Sequence, residues 1–300
     1  MRIVSLIPSA TEIVCALGLR QSLVGRSHEC DFPVDVDGLP ALTRARISLA
    51  GDSAAISRSM ARALEDAVAI YEVDAPLLDS LRPDLIVTQD QCEVCAASLL
   101  QVEAALCARS GRDVAIVSLK PSSVAEAMDD IMRVGRAAGI DATPLVTQLR
   151  ARMAETSAVT SARRPRLLYV EWIEPIMGPG LWTPELIAMA GAEPVGGVAG
   201  RHARWLTWDE VAAGDPDLVV IAPCGFDLAR GIEESAALRR SPVWCNLRAV
   251  REGRVAVADG NAFFNRPGPR LAESLQILRE VVSGSAGPHF GVNWRWLASV

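Results

Sequence analysis

The chain has 300 residues, 50% of them hydrophobic, and a formal net charge of -6. That is ample for a buried core and suits one large or two medium domains. The acidic balance excludes the basic footprint of a nucleic-acid or anionic-membrane binder, and no apolar run approaches the roughly 20 residues of a spanning helix.

Taken in order, Arg2–Ile7 reads as a short strand. A helix follows from Ser9, with a Ser9-x-x-Glu12 capping box, ended by Gly18. Only Arg2 is basic in this apolar start, Pro8 to Glu12 interrupt it, and no small-residue cleavage site follows. The expected location is therefore cytoplasmic, or periplasmic if a leader has been removed. Leu23–Gly25 is a second strand, emptying into a polar loop, Arg26 to Pro33, and Pro33 and Pro40 keep the next stretch extended. Met60, Leu64, Ala67 and Val68 predict one helical face over Ser57 to Tyr71. Asp74 to Leu81 predicts another helix, with Pro76 in its first turn. Pro83 to Val87 is a strand that runs into Cys92-Glu93-Val94-Cys95. Ser98 to Arg109 is helical, and Val114–Ser118 is a strand. Such alternation implies a mostly parallel sheet.

Ser122 to Ala138 is an amphipathic helix stopped by Gly139, and Asp141 caps a further helix towards Ser157. The first pattern then returns. Arg166–Val170 is a strand, Pro184 to Ala190 and Trp208 to Ala213 are helices, and Pro216 to Ile221 opens with the same Pro-Asp-Leu triplet as Pro83. Arg254–Ala258 is a late strand and Pro269 to Val282 the closing helix; partial order is expected after Gly284. The fold class expected is α/β, with two similar lobes bridged by a long helix and a ligand cleft between them. The divisions are 1–121, 122–160 for the bridge, 161–283, and a tail over 284–300.

Two such lobes would bring strand-end loops together, where ligands collect in open α/β sheets. The first lobe would supply Ser9, His28, Glu29, Cys30, Asp90, Cys92, Glu93 and Cys95. The second would supply Glu171, Trp172, Trp182, Cys224, Phe226, Asp227, Asn265 and Arg266. Flat aromatic faces with a few orienting polar groups suit a sizeable organic ligand.

The seven cysteines are an odd count in a large chain, unlike a small secreted disulfide framework. Cys15 and Cys107 lie on apolar helical faces, and four of the others fall in loops. One Cys-x-x-Cys is half of a tetrahedral zinc site. Cys30, Cys92, Cys95 and Cys224 therefore either hold zinc or an iron–sulfur cluster or are plain thiols. His28 either serves its loop or ligates a metal, including the metal centre of a bound cofactor. Glu171 is an isolated carboxylate and no catalytic residue is assigned. Backbone amides before the last helix, with Arg266, suit an anionic ligand group, or form a stiff turn with Arg270 in a surface ion pair.

Arg2 to Glu12, Leu23 to Ser27, Pro83 to Val87, Pro216 to Val220 and Val255 to Asn261 together resemble the vitamin B12 and iron-complex substrate-binding proteins of ABC importers. The resemblance spans roughly 1 to 282. It implies two α/β lobes bridged by one long helix near Asp141, limited hinge motion, and a ligand clamped between the lobes without catalysis. It implies cobalamin, a related corrinoid or another metal complex as ligand, and an ABC transporter permease as partner, with Glu193 at a docking position. The His28–Asp31, Cys92–Cys95 and Pro223–Asp227 loops resemble a cysteine-bearing subgroup. The alternative function is a cytoplasmic metalloprotein or enzyme with a cysteine-ligated centre in the same cleft.

Overall fold

The computed structural model describes residues 1–66, 70–90, 114–157 and 164–298. The described chain divides into two compact units. Met1–Gly51, Ala55–Pro121 and Ala125–Gln148 supply the first, and Leu149–Val300 with the short pieces Asp52–Ala54 and Ser122–Val124 supplies the second. No helix among the described residues is long and apolar enough to cross a membrane.

In the first unit the described elements are β1 (Ile3–Ser5), α1 (Pro8–Ala16), β2 (Leu23–Arg26), β3 (Thr43–Ala45), α2 (Ser53–Glu65), β4 (Tyr71–Val73), α3 (Ala75–Leu81), β5 (Leu85–Gln89), β6 (Ala115–Leu119) and α4 (Val124–Ala137). Helix α5 (Thr143–Ser157) carries the chain onward, and the division between units falls inside it. Asp141 caps it as expected, its Oδ1 accepting from Thr143 N at 2.9 Å. A parallel sheet runs β2-β1-β5-β6, and β3 and β4 pair antiparallel beside it.

In the second unit come β7 (Arg166–Val170), α6 (Thr183–Met189), β8 (Glu193–Val195), α7 (Trp208–Gly214), β9 (Leu218–Ile221), α8 (Leu228–Ser235), α9 (Pro242–Asn246), α10 (Arg248–Arg251), β10 (Val255–Ala258), α11 (Leu271–Ser283) and β11 (Trp294–Trp296). The sheet order is β11-β10-β9-β7-β8, parallel except for β11. Central strands β7 and β9 are buried almost throughout, which is why they read as apolar runs without alternation.

The repeated Pro-Asp-Leu triplet has one physical role in both units. Asp84 Oδ2 accepts from Arg2 N at 2.7 Å, and Asp84 N donates back to Arg2 O at 2.8 Å. Asp217 Oδ2 accepts from Arg166 N at 2.8 Å, and Asp217 N donates to Arg166 O at 2.8 Å. Each aspartate thus fixes where its strand lies against the first strand of its unit, and Leu85 and Leu218 enter the core behind it with no exposed surface.

Four expectations are corrected. Ser9 forms no capping box: α1 starts at Pro8, whose fixed φ suits the first helical position, and Ile7 is the uncapped residue before it. Tyr71 lies in β4 rather than in a helix, because helix α2 ends at Glu65. The stretch between Pro33 and Pro40 holds a 3₁₀ turn, Val34–Gly38, rather than extended chain. The segment after Gly284 is described through residue 298 and contains the edge strand β11, Trp294–Trp296. Trp294 is fully buried and its Nε1 donates to Glu280 Oε2 at 2.6 Å. The helix expected over Ser98 to Arg109 lies outside the described residues.

Removing either aspartate takes the acceptor from a main-chain N–H, part-buried at Arg166 and exposed at Arg2. Asp217→Ala should lower unfolding free energy by about 1–2 kcal/mol in urea melts, and Asp84→Ala by less, since water reaches Arg2 N. Unchanged midpoints would show that these carboxylates do not register the sheets.

Candidate functional site

In the first unit the sheet order reverses direction between β1 and β5, and ligands bind outside the carboxyl ends of strands at such a point. The loop after β2 is wound tightly there. Arg26 donates to the carbonyls of Ser27 at 3.1 Å and Cys30 at 3.0 Å, and pairs with Asp37 at 3.2 Å. Thr43 of β3 anchors the same loop: its hydroxyl accepts from His28 N at 3.0 Å, and lies 2.8 Å from Ser27 Oγ and 2.7 Å from His28 Nδ1. Two tautomers satisfy this network. With the proton on Nδ1, Nε2 presents a lone pair, and Nε2 meets no hydrogen-bond partner among the described residues. Burial holds the His28 imidazole below the usual histidine range; Arg26 adds to the shift and Glu29 opposes it.

Glu29 Oε1 accepts from Tyr71 OH at 2.8 Å, and the Tyr71 ring centre lies 5.5 Å from that of His28. Cys30 is buried, its Sγ receiving the Thr11 hydroxyl at 2.9 Å. Ser9 is buried at the start of α1. Asp90, after β5, pairs with Lys120, after β6, at 3.8 Å.

In the second unit the reversal falls between β7 and β9. The loops that follow these strands hold Glu171, Trp172, Cys224, Phe226 and Asp227. They are joined by Cys224 N donating to Glu171 O at 3.1 Å. The Trp172 and Phe226 rings lie 5.3 Å apart, and the Arg230 guanidinium stacks 3.7 Å from the Phe226 centre. Asp227 caps α8, its Oδ1 accepting from Arg230 N at 2.8 Å. Trp172, Met177 and Trp205 are successive bridge partners, so their side chains share one face. Trp205 is 54% exposed. The result is a row of aromatic and thioether groups leading outward from the switch point.

The loop after β10 packs on the loop after β9. Gly260 N donates to Phe226 O at 2.9 Å, and a Cβ at Gly260 would lie 2.1 Å from Pro223 O, so only glycine permits this approach. Asp259 Oδ1 accepts from the amides of Asn261 and Ala262 at 3.0 and 2.7 Å, and burial pushes its carboxyl up despite Arg266. Arg266 is 6% exposed and donates to Asn261 Oδ1 at 2.9 Å. Asn265 Nδ2 donates to Gly260 O at 2.7 Å. Phe264 sits at φ +68°, costly for a residue with a side chain. It is held by Phe264 N on Ser274 Oγ at 3.1 Å and by Trp182 Nε1 on its carbonyl at 2.6 Å. Trp182 thus fastens this turn.

Of the sequence-predicted residues, His28, Glu29 and Cys30 share one loop, with Ser9 and Asp90 at neighbouring strand ends of the same sheet. In the other unit, Glu171, Trp172, Cys224, Phe226 and Asp227 are joined through adjacent loops, with Asn265 and Arg266 on the loop packed against them. Cys92, Glu93 and Cys95 lie outside the described residues. Among the described residues no group of three or more His, Cys, Asp or Glu side chains is placed to hold a metal ion. Thr43, Tyr71, Met177, Trp205 and Asp259 were not picked out as site residues from sequence; the first four act through partners distant in the chain or in a loop without a motif, and Asp259 lies in the Val255 to Asn261 motif without a role having been read for it. A separate cavity of about 340 Å³ lies beside β8 and α7 and is lined by none of the predicted site residues.

Comparison with known proteins bears on this arrangement. A family model described as periplasmic binding protein matches residues 3–262. The chain belongs to the periplasmic binding protein family. Its fold is similar to solved structures. A periplasmic heme binding protein from Pseudomonas aeruginosa is 21% identical with a TM-score of 0.73, over 99% of this chain and 98% of that one. The periplasmic heme-binding protein RhuT from Roseiflexus sp. RS-1 is 22% identical with a TM-score of 0.70, over 94% and 98%. The periplasmic vitamin B12 binding protein BtuF of Vibrio cholerae is 19% identical with a TM-score of 0.60, over 94% and 96%. No curated protein matches the sequence.

An NMR titration of the His28 ring should give a midpoint below the ordinary 6.5. Because the folded chain then binds this proton less readily than the unfolded chain, His28 should lower stability as pH falls through 6.5. His28→Gln should flatten that part of the pH–stability curve. A midpoint at or above the ordinary value would contradict the site as described.

Proposed function

We propose that the chain is a substrate-binding protein for a metal macrocycle, a haem or a corrinoid such as cobalamin, and that it works with an ABC transporter permease. The observation that carries this reading is the His28 imidazole. Burial favours its neutral form, Thr43 pins it through Nδ1, and Nε2, at a switch-point edge, meets no hydrogen-bond partner among the described residues. Neutral imidazole is the form that ligates a metal, and a partner on the other ring nitrogen orients it. The exposed end of the Trp172–Met177–Trp205 row supplies flat apolar surface for a macrocycle, and Arg266 supplies fixed positive charge. Relatives of the same fold are described as binding heme or vitamin B12. The proposed function is binding.

Purified protein titrated with haemin and with cyanocobalamin should show saturable binding of at least one. With haemin, nitrogen ligation should shift the Soret band. His28→Ala should abolish that shift and weaken binding by about tenfold or more, and Trp205→Ala should weaken it without changing the spectrum. Absence of saturable binding by haemin, corrinoids and ferric siderophores would overturn the proposal. Haemin binding with a spectrum indifferent to His28→Ala would remove its ligand role.

A further inference from the structure

The cavity of about 340 Å³ between β8 and α7 lies within the second unit, and its size is at the small end of ligand pockets. Val195, Leu206 and Val211 give it an apolar floor and are buried. Arg166, Arg204 and Glu210 are its charged lining side chains. Glu210 is spent on its own loop. Its Oε1 accepts from Arg204 Nη1 at 2.7 Å, and its Oε2 accepts from Thr207 N at 2.8 Å and Thr207 Oγ1 at 3.1 Å. Arg166 differs. Its main chain is clasped by Asp217, but its half-buried guanidinium meets no hydrogen-bond or ion-pair partner among the described residues. Glu193 stands opposite it in the β7–β8 register, yet neither lines the cavity nor pairs with it. Two of the three lining charges therefore cancel, and one positive charge is left. The walls are fixed around it. Leu206 N donates to Ile176 O at 2.9 Å and Gly178 N to Arg204 O at 3.0 Å. At the far end of α7 a Cβ on Gly214 would lie 2.5 Å from Val195 Cγ1, so glycine lets the helix close on β8 there.

We propose that this cavity is a second binding site, for a small organic monocarboxylate whose acid group meets Arg166 and whose short apolar body covers Val195, Leu206 and Val211. A guanidinium offers parallel N–H donors that match the two oxygens of a carboxylate. The floor offers no polar side chain, so the rest of the ligand is apolar. A single negative charge balances the single unpaired lining charge, and a second would meet the Glu210 carboxylate. Because the walls are held by the chain's own bonds, little ordering is lost when the cavity fills. Arg166 is the first residue of β7, at the opposite end of that strand from the loop of Glu171 and Trp172. The site therefore stands whether or not a metal complex binds at the strand ends.

Phenylacetate and hexanoate are the probes, with phenylacetamide as the uncharged control. In ¹⁵N-resolved NMR spectra of the full chain, both acids should shift the amides of Val195, Gly196, Val211 and Gly214 saturably, with a dissociation constant on the order of 1 mM or below. Phenylacetamide should bind about tenfold more weakly, since it lacks the charge-assisted bonds. Arg166→Gln should weaken both acids by about tenfold and erase their preference over the amide, and Arg166→Lys should recover part of the loss. Ala213→Trp, at an exposed α7 position that lines the cavity, should block acid and amide alike. The two Arg166 variants keep the main-chain clasp with Asp217 and guard against misfolding of the tryptophan variant. No saturable shift by either acid at about 10 mM, well above the expected constant, overturns the proposal. Equal affinity for phenylacetate and its amide, or acid binding that survives Arg166→Gln unchanged, overturns it too.

Discussion

In each unit a carboxylate on one strand holds the first main-chain N–H of its neighbour. Asp84 clasps Arg2 and Asp217 clasps Arg166, each with a return bond from its own amide. A parallel ladder has no hairpin to set its register, so something at the amino end must do so. Once the amino ends are fixed, the carboxyl ends are fixed too, and with them the loops that carry polar and aromatic side chains. A one-residue slip would turn every strand-end side chain to the opposite face. The two clasps explain why a short triplet recurs in a chain with no other close internal repeat.

Behind both edges, the loops are over-determined. Arg26 and Thr43 between them engage the main chain or side chains of Ser27, His28 and Cys30. In the second unit, Phe264 is kept in left-handed backbone by bonds to its amide and its carbonyl. Such conformations persist where surrounding contacts outweigh their cost, and they pre-organise the neighbouring groups. Arg266 and Asn265, which follow Phe264, inherit that rigidity. A binding site assembled before the ligand arrives loses less ordering entropy on binding.

Much of this was legible in the sequence. The long apolar strands, the main helices, the Pro-Asp-Leu openings and the polar strand-end loops all appear where buried parallel strands and capped helices require them. The three-residue strands β3, β4, β8 and β11 were not legible, being too short to show a period, whereas β1, equally short, was read from the apolar run around it. Tyr71 was drawn into a helix because the apolar spacing of α2 continues past its end. Trp294 looked like part of a loose aromatic tail until Glu280 gave its indole an acceptor. Thr43 and Trp205 carry no local signal, since their roles come from partners 15 and 28 positions away. His28, Glu29, Trp172 and Phe226 were singled out because strand-end loops are the expected place for ligand groups. The chemistry of each needed the hydrogen-bond network around it.

The central claim is that the strand-end loop around His28 engages a metal macrocycle. Hydrogen–deuterium exchange, measured on the protein alone and with saturating haemin or cyanocobalamin, tests this most directly. Exchange should slow in the loop at 27–31, and should stay unchanged around the cavity beside β8. An unchanged loop at 27–31, or protection centred on that cavity, would contradict the account.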